Sequence, residues 1–174
     1  MSRYTTILEK MTKIFNDEEI PAILRKMDEN KDLPMDILTV ALEEFSPKGN
    51  EWIAEISFLP LANGADNTAY VSVAITLNNE LTAQASNNVA WLISRFNFYA
   101  PYGAFSVSED GAVLAYKLCT PVVDNGNDDD LFAALDSTVS HAFDFADNFG
   151  GLVEAVMEGD ITAEAAMNQL LGRD

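Results

Sequence analysis

Two runs, "EWIAEISFLP" and "AYVSVAITL", constrain the fold most, because in each a line of apolar residues recurs at every second position. Trp52, Ala54, Ile56 and Phe58 share one side of the first, and Val71, Val73, Ile75 and Leu77 one side of the second. That is the period of a strand with one buried face, not the 3.6-residue period of a helix. "LANGADNT" between them supplies Asn63-Gly64, residues that tolerate positive φ, so the two runs are expected to pair as an antiparallel hairpin. A second hairpin is expected in "YGAFSVSEDGAVLAYKLCTP". There Phe105 and Val107 lead into the turn pair Asp110-Gly111, and Val113 to Cys119 return.

Around these hairpins the apolar spacing turns helical. Tyr4, Ile7, Leu8, Met11, Ile14 and Phe15 form one stripe, opposite Glu9, Lys10 and Lys13. Ile20, Ile23, Leu24 and Met27 continue at three or four residues, which predicts a second short helix capped by Asn16 or Asp17, with Pro21 near its start. Residues 1–34 are thus expected to be a helical segment. From Met35 to Phe45 strand and helix compete, and Ile37, Thr39 and Val40 lean towards strand. A helix capped by Asn78 or Asn79 puts Leu81, Ala85, Val89, Leu92, Ile93 and Phe96 on one face. Leu131 to Val156 follow helical spacing as one long helix, or as two broken at Gly150-Gly151, since a helical glycine costs about 1 kcal/mol relative to alanine. "TAEAAMNQLLG", within 159–174, predicts a last short helix capped by Asp160 or Thr162. With no repeat, linker or break in composition, residues 1–174 are expected to form a single domain in the order α-βββ-α-ββ-α.

Charge excludes some functions. Twenty-eight acidic against 10 basic residues give a formal net charge of −18, which opposes phosphate backbones and anionic membranes. No nucleic acid and no membrane are therefore expected as partners, although an acidic surface would suit a basic protein. No stretch reaches the roughly 18 apolar residues of a membrane span, and Glu9, Lys10 and Lys13 interrupt every candidate signal-peptide core. The single cysteine, Cys119, fits a reducing compartment and reads as a small buried hydrophobe in a strand. A cytoplasmic location is expected.

Residues for catalysis do not assemble. His141, the one histidine, sits beside the Val139/Ala142 stripe without a nucleophile motif near it. "DNGNDDD" from Asp124 resembles a calcium loop, but the EF-hand glycine position holds Asp129 and the final glutamate position holds Leu135. "DENKDL" from Asp28 fails in the same way, with Leu33 and Thr39. No phosphate-binding loop or dinucleotide fingerprint is present. No catalytic residue, metal or cofactor is expected, and the chain reads as a non-enzyme.

"LTAQASNNVAWLISRFNFYAPYGAFSVSEDGAVLAYKLCTPV", followed by the long helix from Asp128, resembles the bacterial YbjN-type family, whose domain is similar to type III secretion chaperones. The matching positions are Asn97, Pro101, Gly103, Phe105, Glu109-Asp110-Gly111 and Tyr116-Lys117, within a resemblance running from Trp52 to Glu158. It implies an α+β fold in which helices pack on one face of a twisted antiparallel sheet of about five strands. It further implies a regulatory or chaperone-like role and association of subunits in pairs.

The expected function is a non-enzymatic protein-interaction module, an adaptor that binds another polypeptide. Large aromatics near element ends or in pairs, Trp52, Tyr70, Trp91, Phe98 and Tyr99, are the candidate contacts. The alternative is a small-molecule sensor using a pocket between sheet and long helix, with His141, Asn97 or Tyr116 converging on the ligand. A homodimer through the long helix is a third expectation.

Overall fold

The computed structural model describes residues 2–43, 45–60, 67–78 and 80–173. Among the described residues ten elements follow one another: α1 (Arg3–Asp17), β1 (Ala22–Arg25), β2 (Ile37–Leu42), β3 (Trp52–Phe58), β4 (Thr68–Asn78), α2 (Ala83–Phe96), β5 (Ala104–Val107), β6 (Leu114–Val123), α3 (Asp128–Glu158) and α4 (Ala163–Leu170). These strands form an open, antiparallel six-stranded sheet in the order β1-β2-β3-β4-β6-β5, and with the four helices of the described residues the fold class is α+β. Among the described residues no helix is long and apolar enough to cross a membrane.

Both expected hairpins form, and alternate positions are buried as their period requires: Trp52, Ala54, Ile56 and Phe58 on β3, and Val71, Val73, Ile75 and Leu77 on β4. The Leu59 amide donates to the Tyr70 carbonyl at 2.9 Å, whereas the expected Asn63-Gly64 turn lies outside the described residues. Within 35–45, Ile37–Leu42 form the strand β2. The 128–158 pattern forms one unbroken helix that passes through Gly150-Gly151. The cap of α2 is Thr82, whose side chain accepts from the Ala85 amide; Asn78 instead turns its Oδ1 to the Glu80 amide, and Asn79 lies outside the described residues. Thr162 caps α4.

The sixth strand comes from the stretch expected to be a helix. Residues 22–25 are β1, and only α1 within 1–34 is helical. Glu19 adopts φ +62°, which reverses the chain after α1. The three-four spacing of Ile20, Ile23, Leu24 and Met27 marks no buried face: Ile23 is 69% and Met27 49% exposed. Alternation is what survives, with Ala22 buried and Ile23 outward.

The described residues fall into two compact units. The first comprises Met1–Leu42, Ile53–Ala74 and Cys119–Phe143. Ser2 caps α1 by accepting from the Thr5 amide at 3.1 Å, and the helix buries Ile7, Leu8 and Met11. Its first turn is tied down by polar contacts as well. Arg3 pairs with Asp124 and Asp128, the Tyr4 hydroxyl donates to Asp124 at 3.0 Å, and the Tyr4 ring stacks on Phe58 at 4.6 Å. Asn127 accepts from the Asp129 amide at 3.0 Å, so the acidic run forms the start of α3, where the helix dipole favours negative charge.

Burial by itself would push the Asp124 carboxyl up. The Tyr4 hydroxyl, the Gly126 amide and Arg3 together outweigh it and hold the carboxyl below the usual carboxylate range. A lowered folded-state pKa gives stability that is complete above the unfolded value of about 3.9 and is lost as pH falls through the folded one. Asp124→Asn is therefore expected to lower the urea midpoint at neutral pH, with the gap from the parent chain closing only below about pH 4. Midpoints measured across pH 2 to 7 check this; a gap independent of pH would contradict it.

The second unit comprises Glu43–Trp52, Ile75–Leu118 and Asp144–Asp174. Phe145 organises an aromatic core: it stacks on Tyr116 at 4.9 Å and meets Phe149 at 4.8 Å, Phe96 at 5.9 Å and Phe105 at 6.0 Å. Cys119, at the start of the β6 portion assigned to the first unit, is exposed, because it falls on the outward phase of that strand, contrary to the buried role expected of it.

Each outer strand of the sheet is closed by an asparagine from the end of the preceding helix. In the first unit Ala22 faces Val40, and the Ala41 amide donates to Pro21, which turns the Ala22 backbone groups outward. Asn16 takes both, at 3.1 and 3.0 Å. In the second, Phe105 faces Tyr116, and Asn97 accepts from the Phe105 amide at 3.0 Å while donating to its carbonyl at 2.8 Å. Side chains thus occupy backbone positions that an added strand would need.

Candidate functional site

Helix α2 presents one face inward and leaves the other to solvent. Val89, Leu92, Ile93 and Phe96 are buried, whereas Trp91 is 40% exposed on the outer side. The helix ends at Asn97, and because Asn97 is drawn to the Phe105 backbone the next two residues, Phe98 (83% exposed) and Tyr99 (56% exposed), are turned out. Their rings meet edge to face at 5.1 Å. On the other side α4 contributes Glu164, Met167 and Asn168, and the chain beyond it Leu171 and Arg173. Between them lies an open groove of about 510 Å³.

The groove combines apolar walls with charge. The Arg95 guanidinium lies over the Trp91 ring, 3.7 Å from its centroid, and Nη1 donates to the Trp91 carbonyl at 3.1 Å and the Ser94 hydroxyl at 3.4 Å. A second cavity of about 140 Å³ shares Tyr99, Met167 and Leu171 with the groove and is lined also by Phe149. Exposed aromatic rims over such cavities are what interface anchors look like: large, stiff side chains with little entropy left to lose.

Three of the five sequence candidates therefore meet at one place: Trp91, Phe98 and Tyr99. Trp52 does not. It is wholly buried in the second unit, against Phe45 at 6.4 Å and under the backbone of Gly150, and presents no surface to a partner. Its period-two position on β3 made it core. Tyr70 lies half-buried on β4, in the first unit.

The groups considered for a small-molecule pocket are used otherwise. Asn97 is spent on Phe105, and the Tyr116 hydroxyl donates to the Tyr102 carbonyl at 3.2 Å. Burial first, and then the neighbouring Tyr102, push the Tyr116 phenol above its ordinary value, so it stays protonated. His141 belongs to the first unit, exposed on α3, with Nδ1 2.6 Å from the Ser137 carbonyl. Among the described residues no three His, Cys, Asp or Glu side chains gather in a way that could hold a metal ion.

One polar constellation escaped sequence reasoning. Glu154 on α3 is fully buried, and its carboxylate accepts from the Ser46 hydroxyl at 2.8 and 2.9 Å and from the Asn50 side-chain Nδ2 at 2.6 Å. Lys48 on the same loop pairs with Glu158 at 3.2 Å and with Asp160. Gly150 and Gly151, on that helix face, let the loop close in: an added Cβ would run into Trp52 and Pro47 respectively. The signal was there in the sequence, since residues 150, 151, 154 and 158 share one side of a helix, but its partner loop is more than 100 residues away.

No protein-family model and no curated protein matches the chain.

Proposed function

We propose that this protein is a non-enzymatic interaction module, a chaperone-like or regulatory adaptor that docks another polypeptide in the groove between α2 and α4. The observation that carries this is the outward-turned ring cluster of Trp91, Phe98 and Tyr99 over that groove, in a unit whose Phe96, Phe105, Tyr116 and Phe145 rings are packed inside. Apolar surface of this kind is normally kept for a partner. A small ligand would need most of its own surface covered, and a rim with Phe98 83% exposed favours a polypeptide instead. Strand addition is the less favoured mode, since Asn16 and Asn97 occupy outward backbone groups of both outer strands. The resemblance of residues 52–158 to the YbjN-type family, and through it to secretion chaperones, leads the same way, and we take a reducing cytoplasm as the setting. Comparing the proteins retained from native extract by the parent chain, by Phe98→Ser/Tyr99→Ser and by Ile23→Ser tests the reading. A protein held by the parent and Ile23→Ser chains but lost from the groove variant is expected; identical retention by all three would refute it.

A further inference from the structure

Charge in the groove is unusual for this chain. It has four arginines among 28 acidic residues. Two are neutralised by carboxylates: Arg3 by Asp124 and Asp128, and Arg25 by Glu55 at 2.6 Å. The other two, Arg95 and Arg173, both line the groove, and among the described residues neither has a carboxylate within 4 Å. Placed at random on so acidic a surface, guanidinium groups would find acidic neighbours easily. Here both come to one cavity, and among the described residues neither is paired, although Glu164 lines the same groove.

We propose that the polypeptide segment seated between α2 and α4 carries a carboxylate beside a large apolar anchor, and that Arg95 and Arg173 grip this carboxylate while the anchor enters between Phe98, Tyr99 and Met167. The inference rests on the docking function proposed for the groove. Arg95 is already oriented for such a contact, because the Trp91 ring and the Trp91 carbonyl hold its guanidinium in place and leave little side-chain freedom to lose when an anion arrives. A guanidinium fork matches a carboxylate with two parallel hydrogen bonds, which gives direction as well as strength. Glu164 on the same rim and the net charge of −18 oppose a long acidic run. The segment therefore bears one carboxylate in an otherwise neutral or basic stretch, and its overall charge can still be attracted to the acidic chain.

Selection of short random displayed peptides on the full chain tests this, with the Phe98→Ser/Tyr99→Ser chain as the counter-selection. Enriched peptides are expected to carry Asp, Glu or a free C-terminal carboxylate next to a Leu, Ile, Phe or Trp. A synthetic peptide of that sequence should lose about tenfold in affinity on the Arg95→Gln/Arg173→Gln chain, and about as much when its own carboxylate becomes an amide. The two changes together should cost little more than either alone, the signature of a shared contact. Apolar peptides indifferent to both changes would overturn the carboxylate and leave the docking function standing. Enriched basic peptides unaffected by the Arg variant would overturn it equally. No enrichment over the counter-selected chain would bring down the docking function itself.

Discussion

Gly103→Ala is expected to destabilise the chain by about 3 kcal/mol. Two costs add. Gly103 has φ +63°, where an L side chain is disfavoured by roughly 1–2 kcal/mol. An added Cβ would also fall inside the phenol of Tyr116, which cannot withdraw, because Tyr116 is wholly buried against Phe145 and its hydroxyl is bonded to Tyr102. Overpacking of this kind costs about 1–3 kcal/mol. Gly49→Ala is the control, since its φ of +74° carries the same backbone penalty but nothing lies within 4 Å of its added Cβ. Urea denaturation should separate the two by the steric part alone. Equal losses would mean that Tyr116 yields and that the aromatic core is looser than its ring contacts imply.

The second large effect is expected at Ser46. Ser46→Ala removes a donor to both oxygens of Glu154 while the carboxylate stays buried, a loss of about 2–3 kcal/mol for a hydrogen bond to a charged group. Breaking such an arrangement from one side is costly because it leaves the buried carboxylate with the Asn50 side chain as its remaining donor; removing the charge too is cheaper. Glu154→Gln introduced into the Ser46→Ala chain is therefore expected to restore part of the stability. Urea midpoints for the two single variants and the double variant measure the coupling. A strictly additive double variant would show that Ser46 does not act through Glu154.

How much of this was legible in the residues depended on distance along the chain. Period-two alternation placed β3, β4 and the β5–β6 hairpin, because a strand with one buried face writes its burial directly into neighbouring residues. The β1 stretch misled because its larger apolar residues, Ile20, Ile23, Leu24 and Met27, fall at helical spacing, two on each side of a strand. What decides it is the Asn16 clamp on Ala22 and the turn at Glu19, neither visible as hydrophobicity. In the groove, Phe98 and Tyr99 stood out as adjacent aromatics with no period to bury both. Their neighbours Met167, Leu171 and Arg173 could not be assigned to the same place, since only the packing of α4 beside α2 brings them there. Glu154 was hidden for the same reason, amid a valine stripe that reads as pure core.

Site-specific photocrosslinking in the native cell addresses the docking groove most directly. A benzophenone side chain replaces Phe98 in one chain and Ile23 or Val123 in others; these positions are 83%, 69% and 70% exposed, so access is comparable. Docking in the groove predicts a discrete, saturable adduct with another protein from position 98 that is weakened by Arg95→Gln, and only diffuse background from 23 and 123. Equal labelling from all three positions, or a discrete adduct at 23 or 123 with none at 98, would contradict it.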